Sequence, residues 1–185
     1  MEKELLDDAT DRMAKAVTAT RTEFNTVRSG RASTALLDRI HVDYYGTSTP
    51  LKQMATIAAP EPRLITITPY DKSSLRSVEK AIMESDLGLN PSNDGTIIRL
   101  PIPALTEERR RELVKLVHRL AEDGKVAVRN IRRDAMKDLK EFKHDGLVGE
   151  DAEHRAEEQL QKLTDKYVHE IDELLKHKEA EILEV

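Results

Sequence analysis

The sequence predicts an α+β protein: an elongated antiparallel three-helix bundle, residues 1–29 and 106–185, into which a small mixed β/α domain, residues 31–104, is inserted. Three observations predict it. Long segments near both ends carry apolar residues at steps of three and four, the signature of one helix face. Residues 40 to 100 instead alternate with a period of two and are rich in turn-forming residues. Charged residues make up 35% of the chain and aromatics only 3%, a balance that suits long exposed helices better than a thick core.

The first helix covers residues 4–28, with Leu6, Ala9, Met13, Ala16, Thr20, Phe24 and Val27 on one side. Beyond Gly30 the period changes. Ile40, Val42 and Tyr44 alternate as a strand, after which Tyr45-Gly46 and Pro50 punctuate; residues 54–58, 64–68 and 96–100 read as further strands. Residues 72–87 form a short amphipathic helix stopped by Gly88, and Asn90-Pro91 and Asp94-Gly95 mark turns. A second long helix runs over 106–143, with Thr106 as N-cap and Glu107 and Glu108 favouring the first-turn dipole. At 1.5 Å per residue it is about 57 Å long. The glycines of HDGLVGE (144–150) break it, and a third helix over 151–183 places Ala156, Leu160, Leu163, Tyr167, Ile171, Leu174 and Ile182 on one side.

The chain passes between the two bodies twice, near residues 29–31 and 102–106. Gly30 absorbs backbone change, while Pro101 and Pro103 keep the return strand extended. Two readings fit these junctions: a hinge between semi-rigid bodies, or a tight turn that does not move.

Charge is distributed unevenly. Residues 106–143 hold 12 Lys/Arg against 8 Asp/Glu, whereas residues 144–185 hold 5 against 13, so positive charge concentrates in one helix. On that helix Arg111, Lys125, Arg129, Arg132, Arg133 and Lys140 fall within about 60° of one line, and Leu113, Val117, Leu120, Ala127, Ile131, Ala135 and Phe142 cluster opposite. A cationic ridge on a stiff rod suits a phosphate backbone, because guanidinium groups pair bidentately with phosphate oxygens and displace counterions. A merely solvated helix face is the plain alternative. No aromatic lies on the ridge to stack bases, so the expected partner is folded, double-helical RNA read by shape and phosphate. Arg109, Arg110 and Arg111 join at the helix start, and Arg28 and Arg31 flank Gly30.

Catalytic and metal chemistry is missing from the sequence. There is no cysteine; GLNPSNDG (88–95) lacks the Gly-Lys-Ser/Thr ending of a phosphate-binding loop; and His169-Glu170 is followed by Glu173 where a zinc-binding helix needs a second histidine. No apolar run approaches the roughly 20 residues of a membrane span, and the chain opens on Glu2, Lys3 and Glu4 rather than a secretory signal, so the expectation is a cytoplasmic protein and not an enzyme. Gly124, in a helix interior, costs about 1 kcal/mol relative to alanine; it either loosens the rod or lets a neighbouring helix approach. A structural coiled-coil adaptor also fits the seams, but leaves the inserted sheet and the ridge without purpose.

The words RSGRAS (28–33), DYYGTSTPL (43–51), SDLGLNPSNDG (85–95), RLPIPALTEERRREL (99–113), VAVRNIRRDA (126–135) and KHKEAEILEV (176–185) resemble those of the bacterial ribosome recycling factor family across essentially the whole chain. The resemblance implies an L-shaped, transfer-RNA-like outline, with hinge residues Gly30, Arg31, Pro103, Ala104 and Leu105. It implies a monomeric translation factor that binds the large ribosomal subunit and its rRNA after termination. With elongation factor G and GTP it then splits the ribosome, so that subunits, mRNA and tRNA are recycled. GTP is used by elongation factor G, and the chain itself needs no cofactor, metal or membrane. The implied rRNA-binding residues are Arg28, Arg31, Arg110, Arg111, Arg129, Arg132 and Arg133.

Overall fold

The computed structural model describes residues 1–184; Val185, the last residue of the expected bundle segment, lies outside the described residues. The chain forms two compact units, one of Met1–Ser29 with Glu107–Glu184 and one of Gly30–Thr106.

The first unit contains three long helices: α1 (Glu2–Thr26), α4 (Glu107–His144) and α5 (Glu150–Leu183). Their register follows from pairs across the seams. Arg12 of α1 bonds Asp134 of α4 at 2.9 Å and Thr20 packs on Gly124, so α1 and α4 run antiparallel. Lys143 meets Glu153, Arg132 meets Gln161 and His118 meets Glu179, so α4 and α5 do too. The core is drawn from Leu5, Met13, Val17 and Phe24, from Leu113, Val117, Val128 and Leu139, and from Leu160, Tyr167, Ile171 and Ile182. Two buried threonines within it satisfy their own hydroxyls: Thr20 donates to the Ala16 carbonyl at 2.9 Å and Thr164 to that of Leu160 at 2.7 Å.

The end of α4 is set by backbone chemistry. Gly146 has φ +70, its N–H reaches the Lys143 carbonyl at 3.0 Å, and the Leu147 N–H reaches that of Phe142 at 2.9 Å. This pair of bonds closes a Schellman motif, which only a residue comfortable in the left-handed region completes without strain. Val148 is then buried, which turns the chain into α5.

The second unit holds a two-stranded hairpin, β1 (His41–Tyr44) with β2 (Thr47–Pro50), one turn of helix α2 (Leu51–Met54), and an antiparallel sheet in the order β3-β4-β6-β5. Its strands are β3 (Ala55–Glu61), β4 (Leu64–Pro69), β5 (Ser92–Asn93) and β6 (Ile98–Pro101). Helix α3 (Leu75–Glu84) follows a 3-10 turn at Lys72–Ser74. Alternation along β4 and β6 buries Ile65, Ile67, Ile98 and Leu100 on one face, where Val78 and Ile82 of α3 join them. Asp71 ties this unit together. Its carboxylate accepts from the Ser73 N–H at 2.9 Å and Ser73 Oγ at 2.7 Å, and from the Tyr44 hydroxyl at 2.9 Å, which holds its carboxyl below the usual aspartate value.

Several local elements depart from the sequence reading. Residues 47–50 form a strand, although Thr47, Ser48 and Thr49 carry no apolar alternation; a two-residue turn at Tyr45-Gly46 folds them onto β1. A turn of helix precedes β3, and Ser92–Asn93 adds a short edge strand beside the expected turns. The helix expected over 72–87 is confined to Leu75–Glu84, with a 3-10 turn before it.

Candidate nucleic-acid interface

Which side of α4 faces outward follows from what is buried. The packed residues are Leu113, Val117, Ala121, Gly124, Val128, Ile131, Ala135 and Leu139. Their centre is turned by about 50° from the line drawn through Leu120, Ala127 and Phe142, which are only half-buried. The small residues Ala121 and Gly124 lie in the middle of this packed stripe. That rotation redistributes the expected ridge between an outward face and a flank.

On the α5 flank, Lys125 bonds Asp172 with only 17% of its own side chain exposed. Lys143 bonds Glu153 at 2.5 Å, and that bond raises the Lys143 ammonium above its ordinary pKa. Arg132, half-buried, donates from Nη1 to Gln161 Oε1 at 2.7 Å, and Gln161 Nε2 donates in turn to Asp165 at 2.9 Å. The acidity of α5 thus serves partly to hold the basic flank of α4.

On the outward face stand Lys115, Arg119, Arg133, Lys137 and Lys140. All five are exposed, and among the described residues none is hydrogen-bonded or ion-paired. The row spans 26 residues, about 37 Å of helix from first to last. Arg129 lies at its edge, 42% exposed and 3.3 Å from Glu122. Val126, 45% exposed, interrupts the row with an apolar side chain. The sequence reading missed Lys115, Arg119 and Lys137 because its packing stripe took in Leu120, Ala127 and Phe142 and left out Ala121, Gly124, Val128 and Leu139; centring it on Gly124 brings all three into the row.

The remaining expected residues are scattered. Arg111 lies at the start of α4 and bonds Glu107, four residues earlier, while Arg109 bonds Glu112 at 2.9 Å. Arg110 turns toward the packed side, half-buried, with its Nε shielded from solvent and without a hydrogen-bond partner. Arg28 follows α1 and is exposed; the antiparallel register places it at the end of the bundle where α4 begins. Arg31, also exposed, belongs to the second unit. Arg129, Arg132 and Arg133 are therefore brought together, with Arg110 and Arg111 about 27 Å or more along the rod.

Among the described residues no cluster of His, Asp or Glu is arranged to hold a metal ion, and no helix is long and apolar enough to cross a membrane.

The family model described as ribosome recycling factor matches residues 20–183. The chain belongs to the ribosome recycling factor family. A ribosome-recycling factor from Rubrobacter xylanophilus is 60% identical over 180 residues, 97% of each chain. One from Halalkalibacterium halodurans is 58% identical over 185 residues and the whole of both chains. A solution structure of the ribosome recycling factor matches with a TM-score of 0.74 and 45% identity, covering 100% of this chain and 98% of that one. A second match, with a TM-score of 0.63, 44% identity and 99% coverage of both chains, is to models for the T. thermophilus ribosome recycling factor and the E. coli elongation factor G bound to the E. coli post-termination complex. Family membership places the chain in protein biosynthesis, at the recycling of ribosomes.

Proposed function

We propose that the bundle docks on the large ribosomal subunit through the outward face of α4 and that the chain then separates post-termination ribosomes together with elongation factor G. The observation that carries this reading is the row of five unpaired cations on one stiff helix in a member of the ribosome recycling factor family. Each cation that meets an rRNA phosphate releases condensed counterions, so binding gains free energy that falls as salt rises. Holding the cations on a packed helix means that little side-chain ordering remains to be done on docking.

Arg129, Arg132 and Arg133 contact rRNA in this reading, with Arg28, Arg31, Arg110 and Arg111 as further contacts. The two chain crossings, at Gly30-Arg31 and at Pro103, Ala104 and Leu105, let the smaller unit swing. The chain does no covalent chemistry and needs no cofactor; GTP is turned over by elongation factor G. Its work is positional, and it acts in the cytoplasm as a monomer.

The test is a subunit-splitting assay on post-termination ribosomes. Splitting is expected only when this chain, elongation factor G and GTP are all present. Splitting by elongation factor G alone at the same rate, or turnover of GTP by this chain alone, contradicts the proposal.

A further inference from the structure

Between α4 and α5 lies an open groove of about 520 Å³, lined by Arg132, Arg133, Met136 and Lys137 from α4 and by Glu157 and Gln161 from α5. That volume is within the range of small-ligand sites, about 300–1,000 Å³. Its lining is mixed in a way that backbone binding alone does not explain. A surface built only for phosphate gains nothing from a carboxylate, yet Glu157 is part of the wall. Its side chain is 30% exposed, and among the described residues its nearest ion-pair partner is His154 Nδ1, 3.8 Å away and beyond hydrogen-bonding distance. The acceptor is therefore available.

The groove is also organised before any ligand arrives. Asp165 takes the Gln161 amide nitrogen and Arg132 takes its oxygen, which fixes the amide and aims the guanidinium. Arg132 uses one of its N–H donors in this bond and keeps the others, along with a flat face on which a base can stack. Met136 offers a polarizable, apolar thioether beside it. Cations of the outward row continue from the rim.

Building on the RNA-binding reading above, we propose that this groove receives a single unpaired base of ribosomal RNA, a guanine. The base stacks on Arg132 and Met136, presents its N–H donors to Glu157, and leaves its phosphates to Arg133 and Lys137. Guanine offers N1–H and N2–H side by side, one for each carboxylate oxygen, whereas adenine and cytosine each set a ring-nitrogen acceptor beside their amino group, which a carboxylate repels. Uracil places carbonyl oxygens on both sides of its only N–H, which a carboxylate repels. Unpaired bases read on their Watson–Crick edges are the usual basis of sequence-selective RNA recognition.

The test probes large subunits with and without the protein, comparing wild type with Glu157→Gln. Kethoxal reads guanine N1 and N2, dimethyl sulfate reads adenine N1 and cytosine N3 as controls, and hydroxyl radicals read the backbone. The expected result is protection of at least one unpaired guanine from kethoxal by the wild type, its loss in Glu157→Gln, and the same backbone footprint for both. A backbone footprint without guanine protection, or guanine protection that survives Glu157→Gln, overturns the inference and leaves the docking proposal standing. Absence of any footprint overturns both.

Discussion

Thr20 of α1 lies directly over Gly124 of α4: a Cβ at position 124 would overlap Thr20 Oγ1 and stand 3.2 Å from both Thr20 Cγ2 and Ile171 Cδ1. The three helices meet at this level, so the glycine is there for close approach and not to loosen the rod. The same contact fixes the rotation of α4 about its axis. It thereby decides which of the helix's cations face outward.

Gly124→Ala is expected to destabilise the protein by about 1–3 kcal/mol, the usual cost of overpacking, despite the gain of about 1 kcal/mol in helix propensity. Thr20→Ala removes both obstructing atoms on α1, so the double variant should recover part of the loss. Calorimetric melting of the four proteins measures the coupling. Additive effects would mean that the two residues are not in contact.

Lys125 and Arg133 should behave oppositely. Lys125→Met breaks the seam pair with Asp172 and is expected to change stability by no more than about 1 kcal/mol while leaving large-subunit affinity unchanged. Arg133→Ala should leave melting within about 0.5 kcal/mol and weaken binding. Melting curves and subunit pelleting separate the two.

Gly30 has φ +78, and a Cβ on it would come within 2.7 Å of Leu105 Cγ. Gly30→Ala therefore combines left-handed strain, about 1–2 kcal/mol, with a steric conflict. Leu105→Ala should relieve only the second. A double variant as stable as wild type would contradict the strained backbone at this junction.

Asp94 predicts an acid-sensitive turn. Its carboxylate accepts the backbone N–H of Ile97 at 2.8 Å and of Thr96 at 3.0 Å, and a hydrogen bond from Arg99 at 2.9 Å, which lowers its pKa from 3.8 to about 2. Because the folded value lies below the unfolded one, this stabilisation is fully present above pH 3.8 and is lost as pH falls toward 2. Asp94→Asn should melt lower than wild type at neutral pH, and its melting temperature should fall less across that window. Parallel pH profiles for the two would contradict the assignment.

The helices and strands declare themselves in the sequence to different degrees. Steps of three and four are visible over tens of residues, so the long helices and the α+β class are legible. The strand at 47–50 is not, because Thr47, Ser48, Thr49 and Pro50 have no apolar face and pair only because the Tyr45-Gly46 turn returns them to β1. The rotation of α4 escapes for a different reason. Hydrophobicity draws attention to Leu120 and Phe142, whereas burial follows the small residues Ala121 and Gly124, where helices come closest. The basic character of α4 can be read from its composition; which arginine faces outward cannot be read until the packed stripe is placed.

The most direct test of the account is the salt dependence of large-subunit binding by wild type and by a variant with Arg133, Lys137 and Lys140 all replaced by alanine. The account predicts weaker binding for the variant and a log–log slope smaller by about three, one for each phosphate contact removed. An unchanged slope and affinity would show that the outward face of α4 is only solvated, and would contradict the proposed docking.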